Sequence, residues 1–396
     1  MTPFATESGV PSLPVILAGF SLLVWIVLTF FRAAFWQLRT FDGDGAGEVR
    51  LAKWPRVVAV VPARNESETM ARCVESLVRQ DYQGQFRILV VDDHSEDGTG
   101  ALAQKAAESA GKADGLEILR APELQPGWTG KLWALEQGVA AAVSFLPEYY
   151  WFTDADIVHS PDTLGKLVFE AENRELELAS LMVLLQAETA PEKLLIPAFL
   201  YFFLMLYPPN RTSDRNRKTA GAAGGCILLR GAALERMGGL SAIRGQVIDD
   251  CALARAVKGS GGAISMGLTR QSVSLRVYRT FREIRDLIAR TAFTQLKHSA
   301  LLLFGTLAGM LLTFAAPVVF SFHTEPWISR ASLAAWALMT LTYLPAVRFY
   351  RLSPLWALLL PVAAIFYGYA TCLSAVRYWM GHGGQWKGRA QAPLKS

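Results

Sequence analysis

The sequence predicts an α/β fold with a mostly parallel sheet, flanked by transmembrane helices. Between residues 56 and 186, short β-branched or aromatic runs alternate with amphipathic segments of helical period, as in parallel βαβ units. Acidic residues directly follow several of these runs, at the sheet edge where α/β proteins bind ligands. Uncharged apolar segments of about bilayer-spanning length lie at both ends of the chain.

Composition excludes several classes of protein. Hydrophobic residues make up 52% of the 396 residues, which is high for a purely soluble protein. The four cysteines show no CxxC spacing, which argues against a zinc site or a disulfide framework and fits a reducing compartment. The net charge of +5 forms no long basic stripe. Basic residues flank apolar segments instead, so we expect contact with an anionic membrane surface and not with nucleic acid.

Residues 1–40 are predicted to form an N-terminal transmembrane anchor. Leu13–Phe31 carries no charge and is about the length that crosses a bilayer. It lacks the basic region and cleavage site of a signal peptide. Glu7 precedes it and Arg32 and Arg39 follow it, so the positive-inside rule places the following region in the cytoplasm.

After a polar, glycine-rich linker at residues 41–47, the pattern predicts a catalytic domain over residues 50–295. Asn65 or Ser67 is expected to cap its first helix. The predicted strands are 57–61, 86–91, 116–119, 150–153 and 178–186, and the predicted helices are 66–80, 98–110, 131–143 and 164–175.

One apolar segment interrupts this domain. Ile196–Tyr207 is read as too short to span a membrane and ends at Pro208-Pro209. It is either a buried core helix or an interfacial helix, and its five aromatic residues favour the interface. The basic segment Arg211–Lys218 follows at once and could meet lipid phosphates.

Residues 299–377 are predicted to contain the C-terminal transmembrane helices, followed by a basic tail at 378–396. Three segments are plausible membrane helices: Ala300–Phe320, Ala331–Val347, which is the shortest, and Pro354–Val376. Three crossings from a cytoplasmic domain leave the C-terminus outside, whereas the basic tail favours the inside. The helix count and the orientation rule therefore disagree, and both possibilities stay open.

The most informative stretch is an aromatic run that ends in Asp154-Ala155-Asp156. Side chains at i and i+2 of a strand lie on the same side, so Asp154 and Asp156 can converge on one cation. Two carboxylates so close together need a metal or hydrogen-bond donors to neutralise them. The alternative is that they are turn residues before Ser160-Pro161.

Two upstream strands end in comparable motifs. Residues 60–66, with Pro62, Arg64 and Glu66, follow the first strand and open a helix whose N–H groups suit phosphate or nucleobase oxygens, although Asn65 is also an ordinary cap. Asp92 and Asp93 follow the second strand, where a base or ribose could be held. Helix capping explains the neighbouring Ser95 or Asp97 better than it explains these two aspartates.

Three downstream features extend the pattern. Lys131 follows a glycine-containing loop and could neutralise a diphosphate; otherwise it is a solvated surface lysine. The small residues of Thr219–Cys226 allow another group to approach the backbone, or reflect tight strand packing. Asp249 and Asp250 open a further helix, where they either cap it or supply a general base for an acceptor hydroxyl.

In this order, the motifs resemble those of a known family. They are PARNE at 62–66, VVDDHSEDGT at 90–99, GK at 130–131, DAD at 154–156, GG-C at 224–226 and IDD at 248–250. Together they look like an inverting family 2 glycosyltransferase of the GT-A fold, which is a Rossmann-like nucleotide-sugar-binding domain. The membrane segments resemble the ceramide-glucosyltransferase-like branch, and the whole chain most resembles the bacterial hopanoid-associated glycosyltransferases.

The resemblance implies roles in binding a nucleotide-sugar donor, most simply a UDP-sugar. Glu66 and Asp93 would contact the uridine, with Asp92 beside them. Lys131 would add positive charge at the diphosphate, and Asp154 would face the ribose or the metal. The remaining donor-site residues carried over by motif are Pro62 and Arg64.

The resemblance also implies a metal and a base. Asp156, with Asp154, would bind Mg²⁺ or Mn²⁺ bridging the diphosphate. Asp250 would take the acceptor proton, while Asp249 stands where the family usually has Glu. The chain departs from polysaccharide synthases and ceramide-type enzymes because it lacks their Q/RxxRW motif. Arg290 is a candidate for the leaving-group contact by its position only. His159 is left without a role.

These implications lead to one expectation and two alternatives. We expect a multi-pass enzyme of the bacterial inner membrane, with a cytoplasmic catalytic domain, that transfers one sugar to a lipid hydroxyl such as that of a hopanoid. A processive polysaccharide synthase would instead yield ladders of products. A non-catalytic nucleotide-sugar-binding membrane protein would not require Asp250 together with both carboxylates of the 154–156 motif.

Overall fold

The computed structural model describes residues 12–38, 40–41, 51–381, 385–386 and 389–390. Most of the predicted linker at 41–47 and of the predicted basic tail lies outside the described residues. The chain divides into two units. A helical unit contains the described residues of 1–38, 187–210 and 278–380, and a sheet unit contains those of 39–186, 211–277 and 381–396.

The strands, numbered along the chain, include all five that the sequence predicts. They are β1 Val57–Ala63, β2 Phe86–Asp92, β3 Leu116–Arg120, β4 Tyr149–Thr153, β5 Ile157–His159, β6 Leu178–Leu184, β7 Cys226–Arg230, β8 Ile264–Ser274, β9 Gln385–Trp386 and β10 Arg389–Ala390.

The helices include the four predicted in the βαβ region. They are α1 Leu13–Phe31, α2 Met70–Val78, α3 Thr99–Ser109, α4 Gly130–Ala142, α5 Thr163–Asn173, α6 Ala190–Leu206, α7 Pro209–Thr212, α8 Gly231–Arg236, α9 Asp249–Gly259, α10 Phe281–Ala289, α11 Ala292–Gln295, α12 Ala300–Met310, α13 Ala316–Phe320, α14 Pro326–Phe349 and α15 Leu360–Trp379.

The predicted start of the first helix in the sheet unit is wrong. Helix α2 begins at Met70, and its cap position is Thr69, which makes no capping side-chain bond. Asn65 has a left-handed backbone, with φ of 51°, and its side chain accepts a hydrogen bond from the Glu96 N–H at 2.9 Å. Asn65 therefore joins two loops at the sheet edge and does not cap a helix.

The sheet topology explains how the acidic motifs come together. In the main sheet the strand order is β3-β2-β1-β4-β7-β6-β8-β5, and four of its seven pairings are parallel. Strands β1, β2 and β4 are parallel, so their carboxyl ends share one edge. Strand β7 runs antiparallel to β4, with Cys226 opposite Thr153. The loop that enters β7 therefore lies beside the turn that leaves β4.

Both faces of this sheet are buried, as the continuous apolar run of β1 requires. Val57, Ala59 and Val61 belong to a core that includes residues of α2 and α5. Val58 and Val60 point the other way, into a core that includes residues of α4 and α9. The sheet is therefore covered by helices on two sides, which fixes the starts of α4 and α9 near the same edge.

The helical unit contains α1, α6 and α10–α15. Among the described residues, four helical stretches are long and apolar enough to cross a membrane: Leu13–Phe31, Ala190–Thr212, Ala300–Phe320 and Pro354–Trp379. The prediction that residues 196–207 are too short to span is wrong, because Thr189 and Glu192 form a capping box that starts the helix earlier. The predicted segment 331–347 lies within α14 and is not among the four.

A π-helical turn separates α12 from α13 at Leu311–Ala315. Pro317 has no N–H, so it cannot pair with the carbonyl of Thr313 four residues earlier. The indole Nε1 of Trp25 donates to that carbonyl at 2.7 Å. A buried tryptophan of α1 thus satisfies the backbone group that the proline leaves unpaired in its own helix.

Substituting Gly138 tests the packing of α4 on the sheet. A Cβ on Gly138 would overlap Val60 Cγ1 and lie 3.1 Å from Val91 Cγ2. Overpacking of this kind costs about 1–3 kcal/mol. We expect Gly138→Ala to lower the midpoint of thermal unfolding of the detergent-solubilised chain.

Gly259→Ala is the matched control, because Gly259 also lies in a helix but has no atom within 4 Å of an added Cβ. It should leave the midpoint unchanged or raise it. Equal behaviour of the two variants would contradict the packing described for α4.

Candidate active site

A cavity at the carboxyl edge of the sheet unit gathers residues from six parts of the chain. Its charged lining residues are Lys131, Asp154, Asp249 and Asp250, and Thr153 adds a hydroxyl. The small or apolar lining residues are Pro62, Leu132, Leu135, Phe152, Gly224, Ile227, Leu240, Ile243 and Leu253. The cavity therefore joins a charged cluster to an apolar wall, the usual construction of a small-molecule site.

Lys131 holds the charged cluster together. Its Nζ lies 2.7 Å from Asp154 Oδ1 and 3.5 Å from Asp249 Oδ2. It stands in the first turn of α4, which Thr129 caps by accepting from the Leu132 N–H. The surrounding carboxylates raise the pKa of the ammonium above its ordinary value, although burial opposes this. Lys131 is thus a fixed positive charge and not a solvated surface lysine.

Asp250 is held by backbone donors from two elements. Oδ2 accepts from the Gly224 N–H at 3.0 Å, and Oδ1 accepts from the Cys251 N–H at 2.6 Å. Burial and the neighbouring Asp249 raise the pKa of Asp250 to about 6, while Lys131 and the two N–H groups limit the rise. A carboxylate with this pKa suits general-base chemistry near neutral pH.

Asp154 and Asp156 do not lie on a strand. Strand β4 ends at Thr153, and the two aspartates belong to the turn before β5. The alternation argument for their convergence is therefore wrong. Burial raises the pKa of Asp154, an effect that Lys131 opposes and Asp156 reinforces. Its partner is Lys131, whereas Asp156 faces a different cation.

That second cation is Arg276, two residues beyond the end of β8. Its Nε donates to Asp156 Oδ2 at 3.1 Å, and its Nη2 donates to Glu66 Oε1 at 3.2 Å. The Ser274 hydroxyl also donates to Asp156 Oδ2, at 3.3 Å. Glu66 and Asp156, predicted for nucleoside and metal binding, are therefore brought together by an arginine that sequence reasoning missed.

The other predicted donor-site residues lie at the ends of β1 and β2. Asp93 is fully buried, and its Oδ2 lies 3.8 Å from Arg64 Nη1, which also donates to the Asp93 carbonyl at 2.5 Å. Asp92 Oδ1 accepts from the Ser95 N–H at 2.9 Å, a bond within the loop that follows β2. In this structure Arg64 and Asp93 stabilise the loop and do not line the cavity.

Sequence reasoning also missed a hydrogen-bonded relay beneath the turn, formed by Thr153, His159 and Ser272. His159 is buried, with Nε2 2.8 Å from Thr153 Oγ1 and Nδ1 2.8 Å from Ser272 Oγ. The only sequence signal was a histidine three residues after the second aspartate. Its partners lie in other strands, so no local pattern identified them.

Comparisons with known proteins find a family match over part of the sheet unit. The family model described as Glycosyl transferase family 2 matches residues 58–238, just under half of the chain. The chain is 32% identical over 93 residues to the glycosyltransferase AglE of Haloferax volcanii, covering 23% of this chain and 30% of that protein. It is also 32% identical over 127 residues to a polyprenol monophosphomannose synthase of Mycolicibacterium smegmatis, covering 32% and 45%. The chain thus spans less than half the length of either relative.

One solved structure resembles nearly the whole chain. It is the mannosyltransferase PcManGT from Pyrobaculum calidifontis, in complex with GDP-Man and Mn²⁺. The likeness has a TM-score of 0.57 at 18% identity and covers 92% of this chain and 98% of that one. At this identity the likeness shows the fold, which is the GT-A-like α/β fold that the sequence resemblance implied.

Replacing Lys131 tests its role as the charge that holds the cluster. Without the ammonium, the folded-state pKa values of Asp154 and Asp250 should rise further above their unfolded values. A carboxyl group whose pKa is higher in the folded than in the unfolded state destabilises the fold as the pH rises from the unfolded-state pKa to the folded-state pKa. We expect Lys131→Met to cost about 1.5–3 kcal/mol near pH 8 and little near pH 4.5, measured by thermal unfolding.

Lys166→Met is the matched control, because Lys166 forms a more exposed ion pair with Asp162. Its removal should cost below about 1 kcal/mol, with a weaker dependence on pH. A Lys131→Met penalty that is the same at both pH values would contradict the role assigned to Lys131.

Proposed function

We propose that this chain, whose residues 58–238 match the family model of glycosyltransferase family 2, transfers one sugar from a nucleoside-diphosphate donor to a lipid hydroxyl with inversion. The observation that carries the proposal is the position of Asp250: a carboxylate with a raised pKa, beside Lys131, in a cavity with an apolar wall. A base, a cation and an apolar surface are what attack by a lipid hydroxyl on a sugar diphosphate requires.

Asp250 would act as the general base. As the acceptor oxygen attacks the anomeric carbon, its proton passes to the Asp250 carboxylate and the bond to the nucleoside diphosphate breaks. The Gly224 N–H keeps Oδ2 of Asp250 oriented toward the loop before β7. Asp249 would assist by holding Lys131, which lies 3.5 Å from its carboxylate.

Lys131 would stabilise the leaving group. Its Nζ is already fixed by Asp154 and so needs little reorganisation to face a diphosphate oxygen. On the other side of the turn, Arg276 supplies a second positive charge at Asp156 and Glu66. Arg276 is thus a better candidate than Arg290 for the contact that the missing Q/RxxRW motif makes elsewhere. Pro62, Arg64, Asp92 and Asp93 would shape the nucleoside side of the site.

The donor set of the turn fits Mg²⁺ or Mn²⁺. The described residues contain no group of three or more His, Cys, Asp or Glu side chains that could hold a metal. Magnesium sites commonly use one or two carboxylates with substrate phosphates as further ligands, so Asp156 and Asp154 suffice. A bound divalent cation would neutralise charge on the departing diphosphate.

The helical unit supports the proposal of a membrane location and a lipid acceptor. Four described helical stretches are long and apolar enough to span a bilayer. One relative is named a polyprenol monophosphomannose synthase, and polyprenol is a lipid alcohol. We propose the bacterial inner membrane, a cytoplasmic sheet unit, a UDP-sugar donor and a hopanoid or other polycyclic lipid as acceptor.

Transfer by isolated membranes tests this function. Membranes containing the full chain would be incubated with labelled UDP-sugars and GDP-sugars, with Mn²⁺ or with a chelator, and the lipid products resolved. We expect one labelled glycolipid that depends on Mn²⁺. Asp250→Asn should lower its formation by about 100-fold or more, because the proton acceptor is lost.

Asp162→Asn, which removes an exposed carboxylate of the same unit, is the control and should retain activity. Equal label in lipid for wild type and Asp250→Asn would end the transferase proposal. A ladder of products in place of one glycolipid would replace it with a processive synthase.

The pH profile gives a second test. Asp250 must be ionised to accept a proton, and burial raises its pKa to about 6. Below that pH we expect kcat/KM, which follows the ionisation of the free enzyme, to fall about tenfold per pH unit, and above it to level off. A rate that does not change between about pH 5 and pH 8 would exclude Asp250 as the base.

A further inference from the structure

The imidazole of His159 is the one buried histidine ring of the sheet unit's described residues, and the proposed chemistry does not use it. His159 is 3% exposed, and its ring lies 4.6 Å from that of Trp151, centroid to centroid. Both ring nitrogens have partners at 2.8 Å, Thr153 Oγ1 and Ser272 Oγ. A fully satisfied polar side chain of this kind fixes the elements that it joins.

The hydrogen-bond directions can be assigned from the donors available. The Thr153 hydroxyl has one proton and donates it to the Gly225 carbonyl at 3.0 Å. His159 Nε2 must then carry the proton and donate to Thr153 Oγ1. Nδ1 is left with a lone pair and accepts from the Ser272 hydroxyl. Burial lowers the pKa of His159 to about 3, so the ring stays neutral and keeps this tautomer.

Thr153, Gly225 and Ser272, which the relay joins, lie next to the groups of the proposed site. Thr153 is the last residue of β4 and directly precedes Asp154. Gly225 follows Gly224, whose N–H donates to Asp250 Oδ2.

Ser272 completes the relay from the other side. It pairs with His159 across β5 and β8, two residues before Ser274. The Ser274 hydroxyl in turn donates to Asp156 Oδ2. The imidazole thus joins β4, β5, β8 and the loop before β7 beneath the turn.

Resting on the proposed function, we propose that His159 is a positioning residue that sets the geometry of the Asp154–Asp156 turn and, through Thr153 and Gly225, of Asp250. The role requires a neutral side chain that donates at one end and accepts at the other, between strands. It does not require a proton to move. Outer-shell partners of this type commonly change metal affinity or activity by about 10–100-fold when removed.

Two substitutions separate positioning from simple packing. Gln can place its amide N–H near the position of Nε2 and so keep the bond to Thr153, whereas Asn reaches only as far as Nδ1 and keeps the bond to Ser272. Both are neutral amides. We expect His159→Asn to raise the dissociation constant for Mn²⁺ about tenfold or more, and His159→Gln to restore most of the affinity.

Mn²⁺ binding would be measured on the full chain in detergent, by electron paramagnetic resonance of the free ion, alongside sugar transfer by membranes. Tyr149→Phe is the control: Tyr149 lies at the other end of β4, where its hydroxyl donates to Glu172 at 2.6 Å. It should lower the thermal midpoint and leave the Mn²⁺ dissociation constant unchanged. His159→Asn should also raise the KM for the donor. The increase should be larger than in a variant outside the site that has the same thermal midpoint.

The outcomes are distinguishable. If a folded His159→Asn variant transfers sugar and binds Mn²⁺ as the wild type does, the positioning role is overturned and the proposed function stands. The same would follow if Asn and Gln lowered the affinity equally, or if Tyr149→Phe lowered it as much. A wild-type chain that neither binds Mn²⁺ nor transfers sugar would overturn the proposed function, and the positioning role with it.

Discussion

The neutralisation of clustered carboxylates is the constraint on which this structure depends. Asp154, Asp249 and Asp250 converge at one sheet edge, and their mutual repulsion in a half-buried site would separate the elements that carry them. The Lys131 ammonium prevents this by contacting the first two at 2.7 and 3.5 Å. Because Lys131 stands in the first turn of α4, the packing of that helix on β1 and β2 also sets the charge balance of the cavity.

The turn after β4 divides the charges into two groups. Asp154 faces Lys131, and Asp156 faces Arg276, which also holds Glu66. The two cations come from distant parts of the sheet unit's sequence, the start of α4 and the segment after β8, yet both reach a turn of three residues. This arrangement follows from the sheet order, because β8 returns to pair with β5 immediately after the turn.

Local patterns in the sequence were sufficient for the βαβ strands and for the charged residues that line the cavity. Pro62, Lys131, Asp154 and the Asp249-Asp250 pair were all selected because they follow strands or open helices, and the parallel sheet brings such positions together. Arg276 was missed because its partner Glu66 is 210 residues away, and a lone arginine after a strand has no local signature. Helix α6 was predicted too short because its capping box precedes the apolar run that was used to find it.

The buried polar groups of the site are stabilised in two different ways, and the difference matters for function. Lys131 and Arg276 are 16% and 39% exposed, so they can exchange carboxylate partners for a diphosphate without uncovering the core. The His159 relay is enclosed and neutral, so under the proposed function donor binding and release would leave its hydrogen bonds in place. A site that must alternate between its own counter-ions and those of a substrate needs this separation. Under the proposed function, the two cations exchange their partners, and the neutral relay keeps the turn that carries Asp154 and Asp156 in one geometry.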